Sequence, residues 1–226
     1  MTKRDLTRRQ FVALGTLALA GCATSEPEPA AEPTTEETIE PEPTTELEPT
    51  PAESAGNTGT LVLVFSRAGE NYNVGVVERG NTAIIADILV ERTGADLFEL
   101  EPAVAYPEDY DECCDVALAE QDEGARPELE SIPDLAAYDT IYLGYPIWWG
   151  DLPMFMYTLL EQGDFAGKTI YPFCTHEGSG LSGTPASIVE ACPDATVGDG
   201  MDLRGKTAQE SPDEVKSAVA DWLASL

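Results

Sequence analysis

The chain has 226 residues and a formal net charge of −30, with 42 Asp and Glu against 12 Lys and Arg. That balance argues against nucleic acid as a partner, which needs a basic face, and against electrostatic docking on anionic lipid. Apolar residues make up 42% of the chain, enough for a packed core, and five cysteines are too few for a disulfide scaffold.

The chain opens on an address rather than on structure. Lys3, Arg4, Arg8 and Arg9 give a basic start, residues 11–20 are uncharged and mostly apolar, and Leu19-Ala20-Gly21-Cys22 ends the run with small residues before a cysteine. A run of ten residues is too short to cross a bilayer stably. The segment resembles a bacterial lipoprotein signal, which implies a signal peptide over 1–21, lipid on Cys22 and an extracytoplasmic domain anchored to the cell membrane. Thr7-Arg8-Arg9-Gln10-Phe11 resembles the twin-arginine export signature, a route for folded proteins that would suit a chain acquiring a cofactor before export.

Residues 22–59 read as a tether. From 23 to 59 there are 10 Glu, 8 Thr and 7 Pro, with no Lys or Arg. Such a stretch buries too little surface to offset ordering entropy, so disorder is expected. The remaining domain, 60–226, holds 8 basic and 31 acidic residues, so the acidity belongs to it as well.

Within that domain, residues 60–66 are a continuous apolar run, as a strand buried on both faces requires. Residues 81–93 have helical spacing through Ile84, Ile85, Ile88 and Leu89, with Gly94 as the stop. A second strand spans 95–100. A helix over 109–123 is expected to bury Tyr110, Cys113, Cys114, Ala117 and Leu118. A third strand covers 140–145, and Pro153 opens a helix that runs to 162. A fourth strand spans 169–174, a short helix 185–192, a weak fifth strand lies within 195–203, and a helix over 211–225 closes the chain. This alternation predicts an α/β fold with a five-stranded parallel sheet between helices. Ligands of such sheets sit beyond the carboxyl ends of the strands, so the loops after strands one, three and four are the candidate site.

The first of these loops begins Ser66-Arg67-Ala68 and ends Gly80-Asn81-Thr82 at a helix start, where hydroxyls and free N–H groups suit a phosphate. No P-loop signature accompanies it. The second reads Pro146-Ile147-Trp148-Trp149-Gly150; adjacent tryptophans cannot share one core, so one offers its face to a planar ring. The third reads Thr175-His176-Glu177-Gly178-Ser179-Gly180, with glycines that allow close backbone approach. His176 is the only histidine, which disfavours zinc, and no nucleophile-elbow motif supports a dyad with Ser179 or Cys174.

Together the loops resemble the flavodoxin family, in particular the signature loops of its short-chain bacterial branch. The resemblance implies a flavodoxin-like three-layer sandwich of strand order 2-1-3-4-5 that binds FMN. Ser66, Arg67, Ala68, Asn81 and Thr82 would hold the phosphate, residues 146–150 would flank the ring, and residues 175–180 would close its other side. Residues 69–79 interrupt the family's usual phosphate loop, leaving Asn71, Tyr72 and Asn73 to line the site or merely cover it.

No side chain stands out as an acid–base catalyst, and no metal site is expected. The favoured function is therefore an electron carrier that serves an unidentified redox partner protein. One alternative is an NAD(P)H-dependent reductase of quinones or other small acceptors; the other is a flavin-free, partner-binding lipoprotein. A carbonyl near Trp149 or Gly150 is expected to accept a hydrogen bond from the reduced ring. Cys174 and Cys192 are read as buried thiols, with a disulfide between them as the lesser option.

Overall fold

A computed structural model describes residues 59–226. The expected signal peptide, Cys22 and nearly all of the expected tether lie outside those residues. Among the described residues no helix is long and apolar enough to cross a membrane.

The elements in chain order are β1 (Thr60–Val64), β2 (Gly69–Asn71), β3 (Gly75–Val77), α1 (Asn81–Thr93), β4 (Asp96–Glu99), α2 (Tyr110–Glu123), β5 (Thr140–Pro146), α3 (Met154–Gln162), β6 (Thr169–His176), α4 (Thr184–Ala191), β7 (Thr196–Val197), β8 (Met201–Arg204), α5 (Gly205–Glu210) and α6 (Pro212–Ser225). The main sheet is parallel, in the order β4-β1-β5-β6, with β7 and β8 both paired to the outer edge of β6. Counted as one broken strand, β7 and β8 complete the expected order 2-1-3-4-5.

The break is a bulge. Thr169 and Ile170 face Thr196 and Val197, whereas Phe173 to His176 face Met201 to Arg204, so one extra residue enters the outer strand between the two pairings. This shift sets Asp202 and Arg204 opposite Cys174 and His176, at the end of β6 where the candidate loop begins.

The alternation of side chains along β1 sorts the core into two layers. Leu61, Leu63 and Phe65 point to one face, where they join Phe155, Leu159 and Leu160 of α3 and Ile188 of α4. Val62 and Val64 point to the other, with Ile85 and Leu89 of α1 and Val215, Val219 and Trp222 of α6. Each fully buried side chain of this size contributes about 1.5–3 kcal/mol. Phe173 is the β6 register partner of Gly144, and a Cβ on Gly144 would lie 2.2 Å from its buried ring, so a side chain there would displace that ring.

Helix ends follow the sequence closely. Gly94 adopts φ 67° and caps α1 through its N–H to Val90 O. Asp109 caps α2, accepting the Glu112 N–H at 2.9 Å. Pro153 is the cap of α3 rather than its first residue. The sequence did not reveal β2, β3 or the short α5.

Candidate functional site

A cavity of about 550 Å³ opens beyond the carboxyl ends of β1, β5 and β6. Of the expected residues, Arg67, Asn81, Pro146, Ile147, Trp148, Trp149, Thr175, His176 and Glu177 line it. Ser66, Ala68, Thr82, Gly150, Gly178, Ser179 and Gly180 do not, and most of these shape the loops that do. Ser66 Oγ accepts the Ala83 N–H at 3.0 Å and caps α1 from outside, because Gly80 at the N-cap has no side chain to do so. The buried Thr82 hydroxyl lies 2.7 Å from that of Thr175, joining the start of α1 to the end of β6.

Arg67 is the arginine of the first loop that lines the cavity, and its guanidinium is taken up by backbone. It donates to the carbonyls of Pro107, Glu108, Asp109 and Glu70. The residue thus holds the loop before α2 against β2 while its charge stays near the cavity. At the N-terminus of α1, the N–H groups of Asn81 and Thr82 have no protein acceptor among the described residues, and the first turn carries no acid. Asn81 Oδ1 accepts Gln209 Nε2 at 2.9 Å, which fixes the side chain against α5.

The two tryptophans diverge, as their adjacency requires. Trp148 packs edge-on to Phe65 and Tyr106, with ring centroids 5.5 and 4.8 Å away. Trp149 is 54% exposed. Trp148 and Asp151 exchange both backbone hydrogen bonds at 2.9 and 3.0 Å, and the two residues between them have φ of 50° and 81°. The Gly150 carbonyl, one expected acceptor for a reduced ring, accepts Ser182 Oγ at 2.6 Å with one of its two lone pairs.

The insertion is a hairpin, β2 paired antiparallel to β3, and it both lines and covers the site. Asn71 and Tyr72 line the cavity, and Asn73 Nδ2 donates to Glu177 Oε2 at 3.3 Å. Tyr72 stacks on Tyr110 at 5.9 Å between centroids. Here the expected stripe of α2 needs correction. Only Cys113 and Ala117 of that stripe are buried, whereas Tyr110 and Cys114 are partly exposed and form a wall of the cavity with Asp111 and Asp115. The helix packs along a narrower seam because a cavity, not core, lies beside its first turns. These residues carry no loop motif, and only a three-dimensional arrangement brings them to the site.

Electrostatically the cavity is acidic at its mouth, through Asp111, Asp115 and Glu177. Glu177 Oε1 accepts the Lys206 N–H at 2.9 Å. Both nitrogens of His176 are engaged: Nε2 lies 2.8 Å from Asp202 Oδ2, and Nδ1 accepts the Gly178 N–H at 2.8 Å. Burial pushes the Cys113 thiol up to about 11 and the Cys174 thiol up to about 12, so both stay protonated near neutral pH. Burial likewise raises Tyr110, with the Cys114 hydrogen bond adding to it. Cys174 and Cys192 are both free thiols, so the disulfide considered between them is not formed.

The family profile described as Flavodoxin matches residues 75–223. No match was found among curated proteins. Among solved structures, a protein assigned as a flavoprotein from Bacteroides uniformis ATCC 8492 is 32% identical, with a TM-score of 0.58, and the alignment covers 73% of this chain and 97% of that one. A counterpart from Bacteroides eggerthii DSM 20697 is 27% identical, with the same TM-score of 0.58 over 73% and 95% of the two chains. A flavoprotein from Lactobacillus acidophilus NCFM in complex with FMN shares the fold at 23% identity and a TM-score of 0.51, over 63% of this chain and 91% of its own.

Proposed function

The chain belongs to the flavodoxin family, and on that premise we propose that it binds FMN in this cavity and carries electrons to a partner protein, held outside the cytoplasm by lipid on Cys22. One observation carries the reading. A single cavity joins an aromatic wall of Trp149, Tyr110 and Tyr72 to Asn81 at the α1 N-terminus, whose backbone N–H, like that of Thr82 next to it, has no protein acceptor among the described residues. That donor set suits a phosphate, and the wall suits a flat heteroaromatic ring. The volume falls within the range of small-molecule and cofactor sites.

In this reading Asn81 and Thr82 hold the phosphate through backbone N–H groups, with Arg67 contributing charge from behind the loop. Trp149 and Tyr110 flank the ring, and residues 175–180 close its other side. FMN supplies the redox chemistry; the chain supplies binding, orientation and electrostatics. The cavity-facing carboxylates oppose added negative charge, which favours a low potential. Electron transfer is preferred to substrate turnover because both nitrogens of His176 are hydrogen-bonded within the protein, and Cys113 and Tyr110 keep their protons.

The test is a titration of FMN into the protein, followed by steady-state assays with NADH and NADPH. Quenching of flavin fluorescence to a one-to-one endpoint, with no sustained nicotinamide oxidation, is the expected result. Steady turnover with a quinone acceptor would replace the carrier with a reductase, and an absence of FMN binding would overturn the reading.

A further inference from the structure

We propose that His176 is a positioning residue of this site: as the neutral Nε2–H tautomer it donates to Asp202, accepts the Gly178 N–H and so fixes the loop that closes the cavity. The inference rests on the proposed FMN site for its functional meaning, though not for its structural claim.

An imidazole nitrogen 2.8 Å from an amide N–H must present a lone pair, so Nδ1 of His176 is unprotonated. The ring proton is then on Nε2, which donates to Asp202 Oδ2 at 2.8 Å. The side chain is only 7% exposed, so water competes poorly for either bond. Gly178 has φ 142°, a backbone state with little intrinsic preference, and its N–H depends on this one acceptor for orientation. At the other end the loop is anchored by the Thr175 hydroxyl against Thr82. The bulge between β7 and β8 is what brings Asp202 to this place, because the register of β7 continued along the strand would put different residues opposite β6.

The arrangement gives the loop a dependence on protonation. A second proton on the ring must go to Nδ1 and turns the acceptor of Gly178 into a donor. The Gly178 N–H then loses its partner, and the loop loses the bond that sets it.

Because His176 is the only histidine in the chain, nitrogen-15 spectra of the full-length protein report on it without ambiguity. In FMN-free protein at mildly alkaline pH, the expected pattern is a protonated Nε2 and an unprotonated Nδ1, and the Gly178 amide resonance should move with the His176 titration. FMN affinity should weaken roughly three- to tenfold as pH falls through that same titration, the worth of one hydrogen bond. His176→Asn, whose amide oxygen can take the place of Nδ1, should bind FMN as the parent does at alkaline pH and keep in acid only the weakening that protonation of the FMN phosphate causes in every variant. His176→Phe should bind three- to tenfold more weakly than the parent at alkaline pH and converge with it in acid, where the parent has lost the same bond. A protonated Nδ1 at alkaline pH overturns the proposal, as does a His176→Phe variant with parental affinity and the parental pH step. If the parent protein fails to bind FMN at any pH, the proposed function falls, and the spectra of the parent still decide the tautomer.

Discussion

Trp149 donates its indole N–H to the Cys114 carbonyl over 3.0 Å, so the turn after β5 is tied to the first half of α2. The bond holds a tryptophan at φ 50° in a tight turn, a conformation that a bulky side chain adopts only at a cost of about 1–3 kcal/mol. Such strain, kept at the mouth of a cavity in a residue that is more than half exposed, points to a role for the side chain itself. Trp149→Asn should separate the two effects, since asparagine tolerates the left-handed region. Unfolding stability should stay within about 1 kcal/mol of the parent, while FMN affinity falls about tenfold for loss of an aromatic contact. Parental affinity in this variant would remove Trp149 from the ring site.

Arg67 is read from the sequence as a phosphate residue, and the structure shows its guanidinium bound to four carbonyls. Lysine keeps the charge and loses the planar fork. Arg67→Lys is therefore expected to lower stability by about 1–3 kcal/mol, read as a shift of the denaturation midpoint. An unshifted midpoint would mean that these bonds contribute little to joining the hairpin and the loop before α2.

Asp111 and Asp115 line the cavity on α2. At about 10 Å and an effective dielectric near 20, one carboxylate opposes an added charge by roughly 1.7 kcal/mol before screening. The double change Asp111→Asn, Asp115→Asn is expected to raise the flavin potential by on the order of tens of millivolts, less at high salt. Spectroelectrochemical titration at two ionic strengths measures this, and a potential that stays put would locate the ring farther from α2.

Tyr106 donates to Glu120 Oε2 at 2.7 Å beside the ring of Trp148. Burial raises the Glu120 carboxyl above its ordinary range, and the Tyr106 hydrogen bond only partly opposes this. A raised folded-state pKa means that the stabilising contribution is complete below the unfolded value and is lost as pH rises through the folded one. Glu120→Gln keeps an acceptor for Tyr106 and removes the charge. The variant should be as stable as the parent or more so at neutral pH, and that advantage should disappear in acid. Urea midpoints across the acid range supply the comparison; a variant less stable than the parent at neutral pH would contradict this account.

Much of the fold is legible in the sequence because single signals dominate. The apolar runs of β1, β5 and β6 and the Ile85, Ile88, Leu89, Gly94 pattern of α1 leave few alternatives. The three loops are legible for the same reason, since a parallel sheet fixes where its ligands sit. The hairpin is not legible: β2 and β3 hold Gly, Glu, Asn and exposed Val76, with no buried face to impose a period of two. Tyr110 and Cys114 fall on a helical stripe that reads as core, and only the cavity beside α2 shows otherwise. The His176–Asp202 pair spans 26 positions and arises from strand pairing after a bulge, which no local pattern encodes.

The most direct test of the central claim is to purify the full chain, record its visible absorption and identify any released chromophore by chromatography. The account predicts a yellow protein that releases FMN at close to one per chain. A colourless protein that also fails to take up added FMN would contradict it, leaving the fold in place and the redox function without support.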